Sequence, residues 1–359
     1  MANITFNNVY ASLKKGSTWG TEVIVTSGIN LYASAITLSG GFADFLTRDF
    51  GQGGKRTNNA RLANTSDVTI TCDLTYGQGW MTLLSGFLGT ESVPAETTVG
   101  ESDYGGNFDM ADSTNGLFWT LAYLIETDRV MVIPSLKVVS CTITIDINGA
   151  GSVSFQCMAD RIIESLTSTA ANVSGNTAYP YETATYGGTN HYFRIHDYST
   201  GSSLSSTHDK EISGFVINMA RPHQRRYGLR GANTAYTLEP LQLGPIDATC
   251  QVKFTELQNS SYDIFGDWLS PGFKMAEAFI DGSAINAGVN RSFKFQLPYL
   301  KIKGQLPPGH DVQSNNGLFL PQATYDMFKA AAAPSGMSGV TDLVRVVAKW
   351  EDRTAKWQA

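Results

Sequence analysis

A two-residue alternation of apolar and polar side chains constrains this chain more than any other feature. In 140–162, which reads SCTITIDINGAGSVSFQCMADRI, Cys141, Ile143, Ile145 and Ile147 share one parity, and Thr142, Thr144 and Asp146 take the other. After the turn Asn148-Gly149-Ala150-Gly151 the pattern resumes, with Val153, Phe155 and Cys157 opposite Ser152, Ser154 and Gln156. Period two sends successive side chains to opposite faces of a strand, so the segment reads as a hairpin with one apolar and one wet face. The same pattern predicts strands over 67–76, 117–125, 136–148, 152–162, 211–220, 247–255, 292–303 and 343–350.

Helices are expected to be few and short. One is predicted over 78–88, where Trp80, Leu83, Leu84, Phe87 and Leu88 recur at helical spacing and Gly89 ends the run. A second is predicted over 260–269, with Tyr262, Phe265 and Leu269 on a stripe and Trp268 beside it. A third is predicted over 324–333, opened by Thr324 and closed before Pro334. The fold expectation is mainly β, with these helices packed as lids on sheets and Trp80 and Trp268 in the core.

The cysteines agree. Cys72, Cys141, Cys157 and Cys250 each sit on the apolar parity of a predicted strand, and none forms a CxxC pair. They are read as buried, reduced core thiols, which fits synthesis in a reducing cytoplasm. The first residues, MANITFNNVYASLKKG, lack a charged region followed by an apolar one, so no secretory signal is expected.

Charge narrows the function classes. Charged residues make up 16% of the 359, against roughly 25% in an average globular domain, and the net charge is −6. Such a chain has no broad basic surface with which to coat nucleic acid. Hydrophobic content of 42% excludes wholesale disorder. Neutral polar faces in this quantity suggest surfaces covered by further copies of the chain.

Two segments read as loops: the acidic 90–116 and the Ser/Thr/Asn/Gly-rich 165–209. The sequence also repeats weakly. Thr71-Cys72-Asp73-Leu74-Thr75-Tyr76 resembles Thr249-Cys250-Gln251-Val252-Lys253-Phe254 at an offset of 178, and each run precedes an aromatic helix. The same offset maps 34–39 onto 212–217 and the loop around Gly53 onto that around Gly231. Leu121-Ala122-Tyr123-Leu124 resembles Leu297-Pro298-Tyr299-Leu300 at 176. These matches predict two β domains, 1–164 and 205–359, joined by a linker at 165–204.

A search for chemistry returns little. His191, His196 and Asp197 fit no metal template, and 50–57, FGQGGKRT, departs from a phosphate loop at its first glycine and at its hydroxyl position. No catalytic residue, metal or cofactor is expected. Arg221, Arg225, Arg226 and Arg230 form the single strong charge cluster. It reads as a solvated loop, as a grip on a nucleic-acid phosphate backbone, or as a protein contact with the acidic 90–116 segment of a neighbouring copy (Glu101, Asp103 and Asp109) as its partner.

Taken together, segments 67–90, 140–162, 212–231 and 239–267 resemble the strand, helix and hairpin passes of tail tube proteins from long-tailed, non-contractile bacteriophages. The resemblance implies tandem β-sandwich, barrel-forming domains, each with a flanking helix. It implies subunits assembled into rings, and rings stacked into a hollow tube that passes DNA without sequence-specific binding. With two such domains per chain, a trimeric ring with pseudo-sixfold symmetry follows, a hexamer being the alternative. Tail terminator and tail-tip proteins are the implied partners, and the virion tail is the implied location. Loops 40–64 and 220–244 match those that contact neighbours in the family, which adds Asp49, Lys55 and Arg56 to the contact candidates. The alternatives are a tail-tip adhesin or sugar-binding β-sandwich, which needs exposed aromatic platforms, and a β-scaffold hydrolase, for which no motif is present.

Overall fold

The computed structural model describes residues 11–41, 46–47, 59–60, 65–98, 101–125, 129–146, 149–165, 167–176, 182–185, 190–230, 234–255, 258–259, 262–286, 288–304 and 321–358. The fold is mainly β. In chain order come β1 (Ala11–Lys15), β2 (Ile29–Leu31), β3 (Ala35–Gly41), a short hairpin of β4 (Leu46–Thr47) and β5 (Asn59–Ala60), and β6 (Thr65–Asp73). Helix α1 (Trp80–Leu88) follows, then β7 (Gly89–Glu91), β8 (Ala95–Glu96), β9 (Asp103–Met110), β10 (Trp119–Ile125), β11 (Arg129–Asp146), β12 (Ser152–Ala159) and β13 (Ile163–Glu164). After α2 (Ala170–Ser174) come β14 (Tyr192–Asp197), β15 (Ile212–Ala220), a long hairpin of β16 (His223–Arg230) and β17 (Thr234–Gln242), and β18 (Asp247–Phe254). The chain continues through β19 (Gln258–Asn259), β20 (Tyr262–Asp263), α3 (Ile264–Leu269), β21 (Phe273–Asn286), β22 (Val289–Lys303), β23 (Gln322–Met327) and β24 (Arg345–Glu351).

Among the described residues all the strand pairings are antiparallel, and they repeat. In the first set β3 pairs β6, β6 pairs β12, and β12 pairs the C-terminal part of β11. The N-terminal part of β11 carries β10 on one side and β13 on the other, and β10 carries β1. In the second set β15 pairs β18, β18 pairs β23, and β23 pairs the C-terminal end of β22. The N-terminal part of β22 carries β21 and β24, and β21 carries β14. A hairpin stands between the first two strands of each set, β4–β5 in one and β16–β17 in the other. The long strands β11 and β22 each change partners along their length, with one group of strands on the N-terminal part and another on the C-terminal part.

One seam joins the sets. Residues 140–146 of β11 pair with 214–220 of β15, so β3-β6-β12-β11-β15-β18-β23-β22 forms an eight-stranded sheet. A single apolar cluster lies beneath it and draws on both sets, from Ile70, Phe155 and Ile143 to Phe215, Val252 and Tyr325. Trp80 and all four cysteines belong to it. Burial pushes the Cys72 and Cys250 thiols up to about 12 and raises those of Cys141 and Cys157 well above the ordinary thiol value, so they are protonated and unreactive at neutral pH.

Each strongly alternating segment is a strand, with ends shifted. The predicted helix over 324–333 is not a helix. Ala323, Tyr325 and Met327 point into the core and Thr324 and Asp326 point out, so period two prevails as β23. Among the described residues of 260–269 only Ile264–Leu269 is helical, capped by the Asp263 side chain, which accepts from the Gly266 amide at 2.9 Å. Its aromatic stripe is not core: Phe265 and Leu269 are exposed. Trp268 is only half-buried and donates to the Gly304 carbonyl at 3.2 Å. The acidic segment 90–116 holds β9, which pairs β24, and the segment 165–209 holds β14. The repeat offsets also need correction. Thr71 pairs Ala35 whereas Thr249 pairs Asn218, so the partner strand lies at 183 and not 178. The match of 121–124 to 297–300 equates β10 with β22, whose topological counterpart is β11.

Candidate assembly surface

The apolar parity of the eight-stranded sheet faces the core, so the other parity forms one continuous face. Alternation fills it with small polar side chains: Thr69 and Thr71 on β6, Ser154 and Gln156 on β12, Thr142 and Thr144 on β11, Asn218 on β15, Thr249 and Gln251 on β18, Thr324 on β23. Hydrogen bonds cross it between strands, from Thr142 to Asn218 at 3.0 Å across the seam and between the Thr71 and Ser154 hydroxyls at 3.4 Å. Charge on this face is sparse. Asp146 takes Lys253 at 3.0 Å, Asp326 takes Lys303 at 2.9 Å and Asp67 takes Arg225, which leaves Asp73 and Asp247 against Lys301, a slight carboxylate excess.

The ends of this sheet are open among the described residues. β3 pairs only β6, and β22 has no partner over Ile302–Lys303 on the side away from β23, where β21 stops at the Phe273–Lys301 pair. The equivalent side of β11 is where β15 docks. An unpaired edge exposes a row of N–H and C=O groups that template another strand.

The arginine cluster lies at the base of, and along, the β16–β17 hairpin, which crosses onto the first set. Arg221 is buried at 2% exposure, not a solvated contact. Its guanidinium donates to the carbonyls of Phe87 (2.7 Å), Leu88 (3.1 Å) and Ala111 (2.8 Å) and to Gln242 Oε1 (3.2 Å). It thus satisfies the orphan carbonyls at the α1 C-terminus and places a cation at the negative end of the helix. Burial pushes its pKa down to about 10, still cationic at neutral pH. Arg225 donates to the carbonyls of Ala159 (2.8 Å) and Ser66 (2.7 Å) and pairs with Asp67. Arg226 donates to the Glu239 carbonyl within its own hairpin.

Several partners of this arm escape a reading of charge clusters. Lys137, almost wholly buried, meets Glu239 at 2.5 Å and donates to the Thr114 carbonyl at 2.8 Å. Burial pulls its pKa down while Glu239 holds it up. Thr237 bonds Asp160, and the Gly116 amide donates to Glu239 at 2.8 Å. The one clue in the sequence was a lone lysine inside the run Leu136-Lys137-Val138.

The acidic segment and the arginine arm therefore meet within one chain, at Ala111 and Gly116, where the charge pattern had suggested a meeting between copies. Asp103 is fully buried and Asp109 pairs with Arg345 at 2.5 Å, so neither is free for a neighbour. Glu101 is exposed. Asp49, Lys55 and Arg56 lie outside the described residues, and so does the Arg230 side chain. The histidines divide: the Asp281 amide donates to His191 at 3.3 Å, His196 stacks on His208 at 4.2 Å, and Asp197 pairs with Lys274 at 2.7 Å. Among the described residues no cluster of three metal-ligating side chains forms, and no helix is long and apolar enough to cross a membrane. Comparison with family models and with curated proteins gives no match.

Proposed function

We propose that this chain is a structural virion protein, the tail tube (major tail) protein of a long-tailed, non-contractile phage. In this reading it assembles into rings that stack into a hollow tube for DNA ejection, and it is not an enzyme. The observation that carries the reading is the β11–β15 seam, where two topologically equivalent sheets join edge to edge, together with the open edges left at β3 and β22. The same junction repeated between copies extends the sheet and closes it into a ring, which removes both edges. The Thr/Ser/Asn/Gln face then lines the lumen. Neutral hydroxyls and amides with a slight carboxylate excess give DNA phosphates nothing to grip, so a genome slides past.

Each chain contributes two equivalent sets, so three chains make a pseudo-sixfold ring, with six chains as the alternative. Head-to-tail stacking of rings is a heterologous contact that propagates into a filament, ended by tail-terminator and tail-tip proteins. A tip adhesin or sugar-binding module needs exposed aromatic platforms, whereas all six tryptophans are buried or half-buried. Negative-stain electron microscopy with native mass measurement tests the reading. Rings of three chains, or tubes of regular bore, are the expected outcome. A strict monomer across a wide concentration range would remove it.

A further inference from the structure

The repeat extends beyond the strands to what covers them, and here the two sets differ. In the first set the row Leu136–Ala159–Ser66 crosses β11, β12 and β6. Its end is covered by the hairpin of the second set: Arg225 reaches the Ala159 and Ser66 carbonyls, and Thr237 reaches Asp160 just beyond. In the second set the equivalent row begins at Leu300–Met327 on β22 and β23. The Thr249–Asp326 register, moved one step, carries it to Ala248 on β18. That row end is the floor of a groove of about 510 Å3 lined by Met110, Ala248, Met327, Phe328 and Leu343. Phe328, which follows Met327 as Asp160 follows Ala159, is 41% exposed. One row end is clamped by an arm, and among the described residues its counterpart is not.

The missing arm is identifiable. β4–β5 stands between β3 and β6 as β16–β17 stands between β15 and β18. In chain order it follows β3, the strand at the free edge of the sheet, as the second arm follows β15, the strand that docks on the preceding set. We infer that the groove at Ala248, Met327 and Phe328 is the receptor for the β4–β5 arm (42–64) of a second copy of this chain. The inference rests on the ring reading and adds to it a specific pocket and occupant. Charge fits. The groove rim carries Asp112, Asp247, Asp326 and Asp342 against Lys303 and Lys329. The arm carries Arg48, Lys55, Arg56 and Arg61 against Asp44 and Asp49. A net negative rim thus meets a net positive arm, as Asp67 and Asp160 lie under the arginine-rich arm inside the chain. Apolar content fits too: Phe45, Leu46 and Phe50 of the arm match the floor of Met327, Phe328 and Leu343.

The test uses wild-type protein first, as an equal mixture of 14N- and 15N-labelled chains, cross-linked with a carbodiimide that couples lysine to carboxylate at zero length. Mixed-isotope peptides joining Lys55 to Asp247, Asp326 or Asp342 are the expected product. Rings or tubes in which Lys55 links elsewhere, or only within chains of one label, overturn the inference and leave the ring reading standing. A strict monomer overturns both. As an independent arm, the double variant Lys55→Glu/Arg56→Glu is expected to lose association with its melting temperature unchanged. Combining it with Asp247→Lys/Asp326→Lys is expected to restore association. Unchanged association in the first variant also overturns the inference.

Discussion

Arg221 shows how far a residue's role departs from its type. Four arginines within ten residues look like a surface patch, yet this one is sealed in and holds the main-chain carbonyls of Phe87, Leu88 and Ala111, of which that of Leu88 also accepts from the Ala111 amide at 2.6 Å. Sequence shows the charge and not the carbonyls, because orphan acceptors belong to the backbone of α1 and β9 and leave no mark in side-chain pattern. Replacing it by methionine keeps volume and removes every donor. An unsatisfied buried carbonyl costs about 1–3 kcal/mol, and those of Phe87 and Ala111 lose their donor while that of Leu88 keeps the Ala111 amide, so Arg221→Met is expected to destabilise the chain by about 2 kcal/mol or more, read as a lowered denaturation midpoint. Beside it, His223 accounts for a pH response. Burial, together with nearby Lys137 and Arg221, holds its pKa below the ordinary 6.5, although its ring bonds the Arg221 carbonyl at 2.9 Å and Glu239 is near. The unfolded chain then takes up its proton first as pH falls, so stability is lost from about pH 6.5 downward to the folded value. Glu91, whose carboxyl burial raises, works in the opposite sense, so the informative quantity is a difference. In His223→Gln, which keeps a donor for the carbonyl, the loss of melting temperature between pH 7 and 5.5 is expected to be smaller than in wild type. Parallel curves for the two proteins would exclude the role.

At the scale of elements, alternation carried most of the information. Strands such as β12 and β18 were readable because each has one face in the core and one in solvent, which forces period two. β23 was misread because six residues of alternation were outweighed by the four-alanine run 330–333 after it, with a capping Thr and a Pro behind. β9 was hidden by its glycines and acids. Gly105 and Gly106 lie opposite Lys349 and Ala348 of β24, and a Cβ on Gly106 would sit 2.8 Å from the Trp350 ring, so a strand there needs residues that do not look like a strand. Helix α1 makes a related demand. A Cβ on Gly86 would lie 1.9 Å from Cη2 of the buried Trp119 indole, so glycine is set by helix-on-sheet contact. Alanine there gains about 1 kcal/mol of helix propensity but overpacks the core, at a cost of about 1–3 kcal/mol. Gly86→Ala is therefore expected to be net destabilising in equilibrium unfolding. A stabilised variant would mean that α1 lifts freely from the sheet.

For the whole molecule, the sequence repeat pointed to two equivalent halves but misplaced their registers, since loop insertions shift offsets while pairings persist. The seam itself was not readable: β11 and β15 carry the same alternation as strands that pair anything else. Its consequence is a contrast between two strands with equivalent places, β3 at a free edge and β15 in the seam. Along β6 the registers with β12 and β3 run without a slip. The amide of Leu74, next after β6, bonds Gly151 on the β12 side, so even residues of β6 turn their backbone groups toward β12 and odd ones toward β3. Thr69 and Thr71 then engage Thr37 and Ala35, and the amide of Leu38 points away from the sheet. Leu38 is 36% exposed, so little packing is at stake. Leu38→Pro accordingly removes a donor only from the free edge. It is expected to melt like wild type yet fail to form rings. Val216→Pro, in a strand paired on both sides to Thr144 and Gln251, is expected to lower the melting temperature markedly. Ring formation by Leu38→Pro at wild-type concentrations would show that the β3 edge is not where copies meet.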